Sequence, residues 1–518
     1  MRLNPGRVAL AALPTLFIGY LFVYPVTRIL LLSLGSGIAD VFGSPRVRSA
    51  IWFTVWQATA STILTVIAAL PLTAVLSRFR FPGRQLIRAL VTVPFVLPTV
   101  VVGSAFVALG LRGNIWAILG AHVFFNLAVV VRTVGGVWSR LDPSIVNAAR
   151  VLGAGPLQAF RKVTLPVLGP SIAAAMSIVF LFTFTSFGVV LIVGGLTYRT
   201  IEVQIYQEVT TFLDLPTAGT LALVQMVGVS LALWGYSRYQ RRQSTALNLV
   251  PEERALRAPS SRLERAAIWG TVAFTIGAIM TPLGVLVARS LSSGGAGWRF
   301  LIDPGPLAVV PAEAIRNSLG FAFTAAAIAT IVGISAATVI ARSPARSSAV
   351  FDTVLMLPLG TSAVTVGLGF LIALDRPIDL RGTIALVPLA HALVAIPFVV
   401  RATLPTLRAI RQDIREAAAV LGASPRQVWR HVDLPLTARA VMIGTGFAAA
   451  VSLGEFGATA FIVRPGSATI PTMIFNLLGR PGGGTFGAAM ALSVILMLLT
   501  TGLILSIDRL RAGELGTF

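Results

Sequence analysis

Apolar residues in this chain come in long unbroken runs, not in the short alternations of a half-buried strand. Runs lie near residues 8–33, 51–76, 89–110, 114–136, 169–195 and 216–236. A second set lies near 266–288, 317–341, 353–374, 382–402, 440–463 and 485–507. A helix crosses the hydrocarbon core with about 20 such residues, whereas a membrane barrel needs strict alternation. The pattern therefore predicts an all-α polytopic membrane protein with about 12 transmembrane helices. Arg2 and Arg7 precede the first run, as in a signal peptide. That run is too long for a signal h-region and lacks a clear small-residue cleavage site, so it is read as a retained first helix.

Composition supports lipid as the main solvent. Of 518 residues, 56% are hydrophobic and 12% are charged, against about 25% charged in soluble domains. A soluble fold of this kind would expose large apolar patches. Cysteine is absent, which excludes disulfides, Cys-ligated zinc and iron–sulfur clusters. Three histidines, His122, His391 and His431, argue against haem and multi-His metal sites, and no metal site is expected. The net charge of +22 has two readings, nucleic acid or topology. With both termini placed in the cytoplasm, cytoplasmic segments hold 29 basic and 10 acidic residues, and external segments 11 and 8. The excess is thus +19 inside against +3 outside, as the positive-inside rule requires, and no nucleic-acid partner is expected. Arg132 and Arg401 are read as interfacial anchors at cytoplasmic span ends. The polar stretch Ser237–Arg265 reads as a semi-flexible cytoplasmic linker close to anionic headgroups.

The chain repeats itself at an offset of 269 residues. Asn147–Pro166 aligns with Glu416–Pro435 at twelve identical positions out of twenty. The same offset pairs His122 with His391, Phe187 with Phe456 and Thr200 with Thr469; upstream an offset of 264 pairs Pro94 with Pro358 and Gly103 with Gly367. Each copy holds six spans, so the repeats are parallel, and a pathway on their pseudo-two-fold axis is expected. The boundaries expected are 1–48 for the first helix and external loop, 49–236 for the first domain and 237–265 for the linker. Then come 266–312 for the next helix and external loop, 313–507 for the second domain, and 508–518 for a cytoplasmic tail.

The duplicated segment is too polar to span. In the second copy a helix over 410–421 is predicted to stop at Gly422, with Ser424 as N-cap and Pro425 opening a second short helix. Pro435 is expected to end that helix before the next span. In the first copy Gly153 stops the chain, and Gly155 and Pro156 restart it. The product is a helix–turn–helix at the membrane surface, twice. One reading is an interfacial pair packed on lipid; the other is a docking surface for a two-fold cytoplasmic partner.

Glu416, Ala417, Ala418, Gly422, Leu434 and Pro435 resemble the EAA loop of type I ABC importer permeases, and Asn147, Ala148, Ala149, Gly153, Leu165 and Pro166 repeat it. The resemblance covers both halves and implies a fused permease with two type I domains in the cell membrane. It further implies that a cytoplasmic ABC ATPase dimer grips the two loops and that an extracytoplasmic substrate-binding protein delivers the cargo. Asn147 stands where the family usually has Glu, so any ion pair made by that acid is absent from the first copy. The 182–195 and 200–207 segments look most like thiamine permeases, while 452–457 is shared with ferric-iron, sulfate and molybdate permeases. Thiamine or ferric iron is the expected cargo.

Glu455 is the one carboxylate predicted well inside a span, and Ser186 is its repeat mate. A charge at membrane depth costs at least about 2.5–3.5 kcal/mol and faces a cavity or a partner. One reading has Ser186, Phe187, Glu455 and Phe456 lining or gating the pathway. The other pairs Glu455 with a helix-end arginine or keeps it protonated between helices. His122 and His391 are read first as structural interhelical hydrogen-bond partners. Pro94, Pro98, Gly103, Pro358 and Gly367 are expected to kink spans 3 and 9. No catalytic set and no GxxxxGK[ST] phosphate loop is present. ATP and Mg are therefore expected on a partner chain, with no cofactor in this one. An ion-coupled secondary transporter with parallel six-helix repeats is the alternative; its coupling charges would have to be Glu455 and Arg28.

Overall fold

The structure, a computed structural model, describes residues 5–35, 38–195, 197–242, 250–303, 310–376, 378–464 and 466–512. Expectations for Arg2, for the linker between 243 and 249 and for the end of the tail fall outside the described residues. Within them the chain is helical, with no strand and a single isolated bridge between Phe79 and Arg257. Ten helices are long and apolar enough to span, and two further pairs, Arg84–Val96 with Thr99–Ala108 and Arg346–Pro358 with Ala363–Ala373, bend by 97° and 89°.

The first bent pair is a crossing. Pro45–Arg78 and Ile115–Trp138 run in the same direction: Ser61 meets His122, and further along both helices Ser77 meets Gly135. Twenty-four residues of helix cover about 36 Å, so the chain between these helices must return over that distance, and the bent pair carries it back. The bends themselves fall at Leu97–Pro98 and Thr361–Ser362, where the backbone becomes extended. Gly103 and Gly367 are not the kinks. They sit inside the second leg of each pair, where a Cβ would lie 3.0 Å from Ile192 and 2.8 Å from the Ala458 backbone. Their task is close helix contact, and they do it at matching places in the two repeats.

The described chain divides into two compact units. One comprises Phe42–Gln204 and Val224–Arg289; the other comprises Met1–Val41, Ile205–Leu223 and Ser290–Phe518. In the second of these, Pro25 lies against Gly369 of the second repeat and Ser33 against Gly219 of the first, so the N-terminal helix packs with residues of both repeats within that unit. In the first, Trp269 packs edge-on against Phe81. Hydroxyls inside the helices donate to the carbonyl one turn back, as Thr62 to Ala58 and Thr65 to Ser61. That removes a desolvation cost lipid could not offset.

The described part of the linker is held to the first repeat. Arg257 N donates to Arg78 O, Arg80 N to Arg257 O, and Val250 N to Arg140 O. Arg84 and Arg88 both donate to the Glu252 carboxylate. Burial opposes ionisation of Glu252, but these two guanidinium groups hold its carboxyl below the ordinary range. Residues 250–257 therefore form a strap with fixed partners, which corrects the expectation of a semi-flexible segment there. Composition hid this because the partners lie more than 100 positions away.

Candidate functional site

The duplicated segment folds into the same turn twice. In the first copy Asp142 accepts from Ser144 N at 2.8 Å and starts the helix Pro143–Val151. Gly153 N then donates to Arg150 O and Ala154 N to Ala149 O, both at 3.0 Å. In the second copy the helix Gln412–Val420 ends with Gly422 N on Ala419 O and Ala423 N on Ala418 O, again at 3.0 Å. Leu152 N and Leu421 N donate to Ala148 O and Ala417 O. Gly153 and Gly422 both have φ +87°, a left-handed end that favours glycine. No atom lies within 4 Å of a Cβ built on either, so backbone conformation alone selects glycine there.

The chain restarts as expected. Ser424 forms a capping box with Gln427 before Pro425–Val428, and Gly155 precedes Pro156–Ala159. Pro435 does not end its helix, contrary to expectation, and its repeat mate Pro166 does not either. Each helix runs on through one wide π turn, Phe160–Thr164 or Trp429–Asp433, into the following span. Leu165 N closes on Phe160 O and Leu434 N on Trp429 O, five residues back. The widened turn gives the proline ring room against the preceding carbonyls.

What the two turns present is apolar and bare. Val151 and Leu152 are 87% and 88% exposed, and Val420 and Leu421 are 87% and 88% exposed. Asn147 and Glu416 are exposed on the same helices, and neither helix has a buried residue. The two turns thus present the same exposed apolar pair at matching repeat positions.

Two buried polar loops follow the next spans. In one unit Leu165–Phe184 ends before Ser186 and Phe187, both buried. His122 Nδ1 lies 2.9 Å from Ser61 Oγ, and its Nε2 lies 2.9 Å from Ser186 Oγ. In the other unit Leu434–Gly454 ends at Glu455. His391 Nδ1 lies 2.7 Å from Ser452 Oγ, and its Nε2 lies 2.8 Å from Thr459 Oγ1 and 3.3 Å from Glu455 Oε2. Each histidine thus turns Nε2 toward the residue at the 186/455 repeat position. Glu455 also accepts from Ala458 N at 2.8 Å, from Thr459 N at 3.1 Å and from the Thr459 hydroxyl. Its partner is a histidine and a helix start, not the arginine considered from sequence. Phe456 is buried against Phe475, with ring centroids 5.7 Å apart.

Glu455 lies within a run predicted to span, and further carboxylates are buried outside those runs. Glu202, Glu208 and Asp433 are buried as well. Glu202 accepts from Gln225 Nε2 at 3.0 Å, and the same amide donates to Phe184 O. Sequence reasoning set 200–207 outside the spans because the segment is short and mixed. The pairing of Thr200 with Thr469 at the repeat offset was the signal that it belongs to the packed core.

Comparison with known proteins gives this geometry a lineage. The family model described as "Binding-protein-dependent transport system inner membrane component" matches twice, over residues 69–244 and 329–512. The thiamine transport system permease protein ThiP of Brucella abortus is 30% identical over 99% of this chain and 96% of its own length. A probable ABC transporter permease protein, y4fN, of Sinorhizobium fredii is 24% identical over 93% and 91%. The sulfate transport system permease protein CysT of Salmonella typhimurium is 32% identical, covering 46% of this chain but 95% of its own. One half of this chain therefore corresponds to a whole single-domain permease. The chain belongs to the family of binding-protein-dependent transport system inner membrane components, as a fused, two-domain ABC importer permease.

Proposed function

We propose that the chain is the permease of an ATP-driven thiamine importer and that its two EAA loops, 147–166 and 416–435, couple it to a cytoplasmic ATPase dimer. The observation that carries this reading is the matched pair of bare apolar turns, Val151–Leu152 and Val420–Leu421, on a glycine-locked backbone. Two equal docking points suit a partner made of two equal subunits. ATP and Mg are bound by that partner, whose closure acts on both turns and whose hydrolysis resets them. A substrate-binding protein delivers cargo on the opposite side, and both termini lie in the cytoplasm. Ser186, Phe187, Glu455 and Phe456, each within its own unit, line the translocation pathway. Thiamine is favoured over ferric iron because a relative that matches nearly end to end carries the thiamine name.

The test is reconstitution in liposomes with the ATPase subunits and the binding protein. Uptake of labelled thiamine that needs ATP and the binding protein is the expected result. Uptake driven by an ion gradient without ATP would establish the secondary-transporter reading instead, and ferric-iron uptake would move the cargo.

A further inference from the structure

The two coupling turns are alike at their tips but differ in how they are fastened behind. In the second copy the wide turn ends at Asp433, which is 1% exposed. Its Oδ1 accepts from Arg415 Nε at 2.7 Å, and its Oδ2 accepts from Arg342. Arg415 belongs to the coupling helix Gln412–Val420 and also donates to Leu407 O at 3.1 Å. Arg342 is the last residue of the spanning helix Pro311–Arg342. One carboxylate therefore joins three elements: the helix before the turn, the helix after it, and a span more than ninety residues earlier in the chain.

The first copy has no such joint. At the repeat offsets Arg78 takes the place of Arg342, but Val146 stands for Arg415 and Thr164 for Asp433. The structure supports the alignment: Arg84 Nε donates to Leu76 O, and its repeat mate Ser348 donates to Ile340 O, the mate of Leu76. The first wide turn instead carries a ring contact, Phe160 stacked on Trp138 at 6.0 Å. Stacked rings slide at little cost. A buried carboxylate between two guanidinium groups does not, because breaking either contact leaves a charge without its partner.

We propose that Asp433, with Arg415 and Arg342, is a rigid coupling joint, so that the second loop moves as one body with the helix Pro311–Arg342 while the first loop moves against its own span. Asp433 is a positioning residue: it acts on transport through the loop and touches no cargo. The two ATPase contacts are then mechanically unequal, although their tips are the same. This inference rests on the reading of the loops as ATPase contacts.

The chain has no cysteine, so paired spin labels can be placed without background. Ile331 and Ile414 are exposed, and their repeat mates Ile67 and Ile145 are exposed too. In the complex with its ATPase subunits, distances across 331–414 and across 67–145 are measured without nucleotide and with ATP trapped. The joint predicts that 331–414 stays within about 2 Å between the states and that 67–145 shifts by more. Arg415→Gln, which leaves Asp433 its contact with Arg342, frees 331–414 to shift. It also lowers thiamine taken up per ATP hydrolysed by at least about tenfold. Asp433→Asn does the same where it folds. A structural role alone would scale uptake and hydrolysis down together. Equal shifts at the two pairs in the native chain, or an unchanged ratio in Arg415→Gln, would overturn the joint. Failure of any ATPase to associate would instead remove the reading on which it rests.

Discussion

At the scale of single residues, glycine does two different things here. Gly153 and Gly422 stand in open space at φ +87°, so only conformation resists a side chain. Gly422→Ala should cost about 1–2 kcal/mol, the penalty of a left-handed L-residue, with an equal effect at Gly153. Gly103 and Gly367 have ordinary backbones and no room. Gly367→Val should destabilise by about 1–3 kcal/mol through overpacking. Thermal unfolding of the purified variants measures both costs, and ATPase binding separates the two classes, since its loss should accompany only the first. Glu455 carries the other residue-scale prediction. Gln at 455 keeps one acceptor oxygen for the helix start at Ala458 and Thr459 but puts an amide nitrogen where the second carboxylate oxygen faces His391. Glu455→Gln should lower uptake while the ATPase remains bound; native uptake would remove Glu455 from the pathway.

Among the elements, the strap 250–257 has a role that responds to pH. Glu252 has a lowered pKa in the folded chain. Its stabilising contribution is complete above the ordinary carboxylate value of 4.5 and is lost as pH falls through the lowered value. Proteolysis of the strap should therefore accelerate in acid in the native chain. In Glu252→Gln it should be fast at every pH, and a pH-independent native rate would contradict the contact. This element also shows where the sequence stops being legible. The turns could be read because their signals are local: a glycine at the stop, a serine or glycine before proline, and the same letters 269 residues on. The strap, the Asp433 joint and the His391–Glu455 contact could not, since each pairs residues far apart in sequence. The wide turns before Leu165 and Leu434 were missed for a different reason. A proline inside a helix normally breaks it, and nothing local announces the π turn that lets it stay.

For the whole molecule, the twelve runs, the duplication and the family were all visible in the order of apolar and polar residues. That the 89–110 run crosses was expected from its apolar length, and the shared direction of Pro45–Arg78 and Ile115–Trp138 agrees; what was not visible was how sharply the two pairs bend, by 97° and 89°. The central claim is that the two bare turns transmit ATP hydrolysis to the permease. The most direct measurement is ATP hydrolysis by the chain reconstituted with its ATPase subunits and binding protein, native against Leu152→Asp with Leu421→Asp. Both side chains are 88% exposed, so the charges should leave the fold intact. The native complex should show hydrolysis stimulated by the loaded binding protein, and the double variant should lose both the ATPase subunits and the stimulation. A double variant that holds the ATPase and is stimulated like the native chain would contradict the claim.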